Sequence, residues 1–231
     1  MKPIDIVMTT WKREVITLLS LNSLVNNTDF PYRLIIVDNG SDPYAQLIYK
    51  NIADIYYAFP ENQGLEFAKN YAMQYVESEY FVSTDNDILV PKRTDACWLT
   101  RLYALLKTNP EYAAIALRPQ VLVGTGDIFG PEPNPIREFS HVPGYMRLME
   151  TQVVRDLGAW SDKRPLRGHE EYWISERIRG MGRKVGWASY IPCYHVFGEA
   201  NWGYTDMTAE ETGHNPVQLP KDDLFAMREF L

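Results

Sequence analysis

Apolar positions in this chain come as short continuous runs that alternate with stripes at helical spacing. Residues 4–8 form the first run and read as a strand, followed by a polar turn over 9–13. Val15, Leu18, Leu21, Leu24 and Val25 then recur at helical spacing, which predicts a helix over 14–27 with that face buried. Leu34, Ile35, Ile36 and Val37 are continuously apolar, as in a strand covered on both faces. Turn residues over 38–43 end it. A short helix is expected over 45–51 and a strand over 55–59. Leu65, Ala68, Ala72, Tyr75 and Val76 mark a helix that begins near Gly64. A strand from Tyr80 then runs into Asp85.

The second half is less regular. Helices are expected over 98–107, 150–157 and 170–181, and strands over 113–117 and 184–191. Residues 124–135 are rich in Gly and Pro and read as a loop. The spacing of Gly124, Gly126 and Gly130 is wrong for a dinucleotide fingerprint. After Gly198 the chain is polar and aromatic up to a short amphipathic end over 224–230. The alternation predicts an α/β fold: one domain with a Rossmann-type, mostly parallel central sheet and helices on both faces. Ligands bind such sheets beyond the carboxyl ends of the strands. Thr10, Asp38 and Asp85 each follow a predicted strand, so one sheet edge is expected to collect them.

The chemistry centres on residues 80–87, where five strand formers lead into Asp85, Asn86 and Asp87. Strand residues two apart face the same way, so both carboxylates are expected to aim at one point. Aligned carboxylates repel, and a hard divalent cation, Mg²⁺ or Mn²⁺, removes that cost. The alternative is a solvated acidic turn. No Gly and no closing Glu follow at the offsets an EF-hand needs.

Composition narrows the field. The 231 residues are 45% hydrophobic and 23% charged, ordinary for a globular chain. Lys and Arg number 23 against 30 Asp and Glu, a net charge of −7. Without a long basic run, a nucleic-acid groove is excluded. Cys97 and Cys193 stand far apart without metal-ligand spacing, which fits a reduced compartment. No apolar run reaches the roughly 18 residues of a membrane span. Asp5 interrupts the opening apolar stretch, against a signal peptide. The expectation is a soluble, cytoplasmic protein, with peripheral membrane association still compatible.

Several segments, in one order, resemble the family 2 glycosyltransferases of the GT-A fold. Residues 4–13 are similar to the family's first strand and P-T-Y-N-R turn, and residues 34–42 to V-V-D-D-G-S-x-D. Residues 62–64 and 68–70 look like N-x-G followed by A-R-N, and Thr84 to Asp87 stands at the metal motif. Residues 146–160 are similar to the stretch that ends in G-G-F/W. Residues 168–171 resemble G-x-E-D, and residues 177–182 the R-x-x-x-G that follows. Tyr194 and His195 look like the closing Y-H. The resemblance covers roughly residues 3–198. It implies a domain over 1–198, with a donor half over about 1–90 and an acceptor half over about 91–198. Residues 199–231 are left as a tail, lid or packing arm.

The resemblance implies metal-dependent, inverting transfer of a sugar from a nucleotide diphosphate, a UDP-sugar first. The acceptor would be a glycan, lipid-linked or other hydroxyl. The metal ligands would be Asp87, Asp85 and His195; alone, His195 also reads as a half-buried core histidine. The donor side would use Thr10, Trp11, Arg13, Asp38, Asn39, Gly64, Lys69, Asp85 and Asn86, and the acceptor side Trp160 and His169. Arg13 and Lys69 are candidates for phosphate contact, and Asp38 for the nucleobase or ribose, against a plain turn-capping role. Glu171 would be the base, with Glu170 next, although carboxylates also favour the first turn of a helix for its dipole. Asn39 stands where the family often has an Asp on the base of the donor, Glu171 replaces an Asp, and Thr9 replaces a Pro. Two other functions compete. One is a nucleotidyltransferase on a sugar phosphate, though residues 9–13 lack the Gly of its phosphate loop. The other is a non-catalytic sugar-binding protein on a transferase fold.

Overall fold

A computed structural model describes residues 2–123, 133–160 and 170–197. The first half runs β1 (Ile4–Thr10), α1 (Glu14–Asn26), β2 (Tyr32–Asp38), α2 (Pro43–Ile52), β3 (Ile55–Ala58), α3 (Leu65–Ala72) and β4 (Tyr80–Thr84). The second runs β5 (Ile88–Leu89), α4 (Trp98–Thr108), β6 (Tyr112–Val123), β7 (Ile136–Glu138), β8 (Arg147–Glu150), α5 (Thr151–Asp156), α6 (Glu170–Gly180) and β9 (Lys184–Phe197). One sheet takes them all in the order β3-β2-β1-β4-β8-β6-β9-β5, with β7 beside β9.

The parallel expectation holds for β3, β2, β1 and β4. Beyond β4 the sheet is mixed. β8 runs antiparallel to both neighbours, and β5 and β7 run antiparallel to β9, while β6 and β9 are parallel. Strands β5, β7 and β8 are two to four residues long, too short to print a periodicity in the sequence. β9 continues past residue 191, so His195 lies on a strand rather than after one.

Side chains along the strands divide between two cores. Ile6 and Met8 of β1, Leu34 and Ile36 of β2 and Val82 of β4 pack with Leu21, Leu24, Tyr49, Trp98 and Leu102 on one face. Val7, Ile35, Val37 and Phe81 pack with Ala68, Ala72, Val153, Ile174 and Ile178 on the other. Both faces are therefore apolar, which is why the run at Leu34 shows no alternation.

In α1 the buried face differs from the apolar stripe. Thr17, Ser20 and Ser23 are buried beside Ile16, Leu21 and Leu24, whereas Val15 and Val25 are 65% and 44% exposed. The reason is the short edge strand β5. Ser20 Oγ donates to the Ile88 carbonyl (2.6 Å), Asn27 Nδ2 to the Val90 carbonyl (2.8 Å), and the Val90 amide donates to Ser23 Oγ (3.3 Å). Polar side chains of α1 thus cover a sheet edge whose backbone groups need partners. Helix α3 stops at Ala72, short of Tyr75 and Val76. Cys97 and Cys193 are buried free thiols. Among the described residues no helix is long and apolar enough to cross a membrane. The tail over 199–231 and most of the Gly- and Pro-rich loop lie outside the described residues.

Candidate active site

Parallel pairing sets Thr10 opposite Asp38 and Met8 opposite Thr84, so the ends of β1, β2 and β4 meet at one edge, as expected. Most side chains there turn inward and fasten the loops to one another. Asp38 is fully buried. Its Oδ1 accepts from the Gly40 and Ser41 amides (3.1 and 2.8 Å) and its Oδ2 from the Tyr56 hydroxyl (3.2 Å). This is the turn-capping role weighed against a nucleobase or ribose contact, and both oxygens of Asp38 are engaged inside the protein. Burial raises its pKa against these hydrogen bonds.

Asn39 is also spent inside the protein. Its Nδ2 donates to Asn62 Oδ1 (2.6 Å) and the Gly64 carbonyl (3.2 Å), and its Oδ1 accepts from the Gln63 amide (2.8 Å). Gly64 enters α3 at φ +95°, a conformation open to glycine. Thr10, 2% exposed, accepts from Asn86 Nδ2 (3.1 Å), which also donates to Thr17 Oγ1 (2.8 Å). Thr10, Asn39, Gly64 and Asn86 therefore fasten the loops at this edge to one another.

A buried ion cluster lies next to this network. Lys69 Nζ pairs with Glu170 Oε1, and Asp85 Oδ1 lies 3.5 Å from the same nitrogen. Arg147 Nη2 reaches Glu170 Oε2 at 3.3 Å, and Trp160 Nε1 donates to that oxygen at 2.7 Å. Lys69 and Arg147 are 0% exposed and Glu170 is 2% exposed. Burial alone would raise the Glu170 pKa, but Lys69 and Arg147 outweigh it and bring it down to about 2. Burial likewise works against the charge of Lys69, yet Glu170 and Asp85 raise its pKa. Three of the expected site residues belong to this cluster. Lys69, a candidate for phosphate contact, is buried and paired with carboxylates. Trp160, a candidate for the acceptor side, is 4% exposed and donates to Glu170. Glu170 is held ionised by two cations, and so weak a base has little pull on an acceptor proton.

The open groups are different ones. Strand β4 ends at Thr84, so the alternation that would align Asp85 with Asp87 no longer applies. Asp85 turns to Lys69 with its side chain 32% exposed. Crowding by the surrounding protein raises its pKa, with the charges of Asp87 and Glu170 adding to it against Lys69. Asp87 turns to Arg13 Nη1 (2.7 Å) and His195 Nε2 (3.3 Å), both on Oδ2. Burial opposes its ionisation, but His195 and Arg13 hold its carboxyl well below the usual range. Burial lowers the His195 pKa and Asp87 more than reverses it, so the net shift is upward. Lys12 and Arg13 are both left-handed, at φ 53° and 56°. These two non-glycine residues carry strain that the surrounding contacts maintain, and such strain concentrates at functional edges. Trp11 is partly exposed beside them, with Lys12 Nζ 5.5 Å from its ring centre. Glu171 is half-exposed in the first turn of α6. His169 lies outside the described residues.

The family described as Glycosyl transferase family 2 matches residues 5–156. The chain belongs to this family. The matched stretch runs from β1 to α5 and leaves α6 and β9 outside it, and with them Glu171 and His195. No curated protein sequence matches the chain. Among solved structures, S. aureus TarS 1–349 superposes at TM-score 0.67 and 18% identity, over 85% of this chain and 60% of that one. The same protein in complex with UDP-GlcNAc gives 0.69 at 18% identity, over 86% and 59%. GalNAc-T7 with UDP, GalNAc and Mn²⁺ gives 0.72 at 14% identity, over 87% and 45%. The chain thus spans between 45% and 60% of the length of these structures. Identities this low speak for the fold, which is that of GT-A glycosyltransferases.

A divalent cation of the kind family 2 enzymes hold finds a partial donor set here. Asp87 Oδ1 is a buried carboxylate oxygen with no hydrogen-bond partner, and the His195 imidazole faces the same carboxylate. Among the described residues no three His, Cys, Asp or Glu side chains form a ready cage. The residues therefore fit a hard cation that takes few protein ligands and completes its shell from a bound phosphate. Sequence reasoning missed Arg147, Gly144 and Tyr145. Two signals were available: an arginine inside the apolar run Met146–Met149, which demands a buried partner, and the Pro143–Gly144 turn before it.

Proposed function

We propose that the chain transfers a sugar from a nucleotide diphosphate sugar, a UDP-sugar first, to a hydroxyl of a glycan, lipid-linked or other acceptor, with inversion. The observation that carries this reading is the meeting of Asp85, Asp87 and His195 at the strand ends of a family 2 fold, with one Asp87 oxygen unpartnered. Asp87 and His195 are the residues that would hold the cation, with Asp85 beside them. When bound, the cation neutralises the charge that develops on the leaving diphosphate. Arg13 adds a fixed positive charge at the same point. Trp11 offers a partly exposed ring for the base or sugar to stack on.

Glu171 accepts the proton of the acceptor hydroxyl. The freed oxygen attacks the anomeric carbon from the face opposite the diphosphate. The carbon–oxygen bond to the diphosphate breaks, and its electrons leave with the nucleoside diphosphate. Glu171 is chosen over Glu170 because it is the reachable member of the pair and lies outside the ion cluster.

The test is a screen of nucleotide sugars with and without Mn²⁺, read first as melting temperature and then as transfer. A binding donor should raise the melting temperature by mass action. The product's anomeric configuration, read by NMR, should be opposite to the donor's. A screen with no Mn²⁺-dependent shift, or a product of retained configuration, overturns the reading.

A further inference from the structure

His195 is met on two sides. Its Nε2 lies 3.3 Å from Asp87 Oδ2, and its ring stacks on Tyr145 with centroids 5.2 Å apart and planes 15° from parallel. We propose that Tyr145 is a positioning residue whose ring fixes the plane of the His195 imidazole and so keeps Nε2 aimed at Asp87 and at a cation held there. This rests on the reading of His195 as a ligand.

A ligating imidazole works best when something beyond the metal sets its orientation, and that partner is commonly a hydrogen bond to the other ring nitrogen. Here the partner visible in the structure is a ring face. Offset stacking is a preferred arrangement of ring pairs, so this contact favours one plane for the imidazole.

The turn that carries Tyr145 is itself held rigid. At its start the Val142 amide donates to Ser175 Oγ of α6 (3.2 Å), and Arg147 Nη1 donates to the Val142 carbonyl (3.4 Å). At its end Met146 is fully buried at φ +42°, and its carbonyl accepts from the Leu117 amide (3.1 Å). Gly144 packs so closely on Glu170 that a Cβ would collide with Oε1. Tyr145 is therefore the tip of a turn anchored to β6, to α6 and to the ion cluster.

The test uses the full chain and titrates Mn²⁺ in the presence of UDP, with free Mn²⁺ read by electron paramagnetic resonance. Tyr145→Leu and Tyr145→Met, the second filling the volume without a flat ring, should each weaken Mn²⁺ binding by about 10-fold or more. Tyr145→Phe keeps the ring and should bind Mn²⁺ as wild type does. Added to His195→Ala, Tyr145→Leu should cause no further loss. Transfer by Tyr145→Leu should recover at saturating Mn²⁺, which a misfolded protein would not do. If Tyr145→Leu and Tyr145→Met bind Mn²⁺ normally while His195→Ala does not, the positioning role is wrong and the metal reading survives. If His195→Ala binds Mn²⁺ normally, the metal reading falls and this inference falls with it.

Discussion

The cluster around Glu170 and the cluster around Asp87 use the same kinds of side chain and differ in what remains unsatisfied. Glu170 is met on both oxygens by Lys69, Arg147 and Trp160, and water reaches none of the three charges. Asp87 has one oxygen shared by Arg13 and His195 and another with no partner, and His195 and Asp85 keep 23% and 32% of their side chains open. A buried cluster whose carboxylate is met on both oxygens specifies structure, even though Arg147 Nε in it has no hydrogen-bond partner. One with a spare carboxylate oxygen and reachable neighbours is ready for a ligand. Position in the sequence does not separate buried from open groups, since Glu170 and Glu171 are adjacent and only Glu170 belongs to the buried cluster.

That adjacency gives the largest expected effect. Glu171→Gln should lower transfer by about 10² to 10⁴, the usual range for a lost general base. Its stability should stay within about 0.5 kcal/mol, as for a surface change. Glu170→Ala should do the reverse. It leaves Lys69 and Arg147 buried without their counter-charge, which costs about 3–5 kcal/mol in denaturant unfolding. If Glu171→Gln transfers at the wild-type rate, Glu171 is not the base.

Next is the open cluster itself. Asp87→Ala should remove the Mn²⁺ dependence of UDP binding and lower transfer by about 10² or more, as expected when transition-state charge loses its support. Unchanged Mn²⁺-dependent binding would count against Asp87 as a ligand. Gly144→Ala acts on the closed cluster from outside. The added Cβ meets Glu170, which cannot swing away because three partners hold it, so overpacking should cost about 1–3 kcal/mol. A neutral result would mean that the closed cluster is looser than its contacts suggest.

The division also explains what could be read from the chain. Strand and helix order was legible because the apolar period survives wherever a segment is long and packs on one or two faces, as β2 and α4 do. It failed at α1, where Ser20 and Ser23 are buried to satisfy the edge of β5, a need that periodicity cannot register. It failed again at β8, whose four residues include Arg147. Asp87, Asp85 and His195 stood out because their residue types announce chemistry. For Thr10, Asp38, Asn39, Lys69 and Trp160 the sequence records where the residue lies and not which way its side chain turns, and all five are buried and hydrogen-bonded or ion-paired within the protein. Tyr145 was missed because its contact with His195 joins a turn to strand β9, 50 residues away in the sequence.

At working pH the smallest effect is the acid sensitivity of the closed cluster, and it distinguishes ionic fastening from mere packing. The folded pKa of Glu170 is about 2, against 4.5 for the free side chain. A carboxylate whose folded pKa is depressed contributes stability above its unfolded pKa and loses it as pH falls through the folded value. Its contribution is therefore constant at neutral pH, begins to decline below about 4.5, and is gone near 2. Lys69 does not share this window, because it stays charged throughout it. Asp5 and Asp87 are also depressed, so the slope of wild type alone cannot be assigned to one residue. The informative quantity is the stability of wild type minus that of Glu170→Gln, measured by urea unfolding from pH 7 down to pH 3. That difference should hold level down to about pH 5 and then shrink. A difference that stays level through pH 3 would mean that Lys69 and Arg147 do not hold Glu170 ionised, and that the closed cluster is fastened by shape and neutral hydrogen bonds.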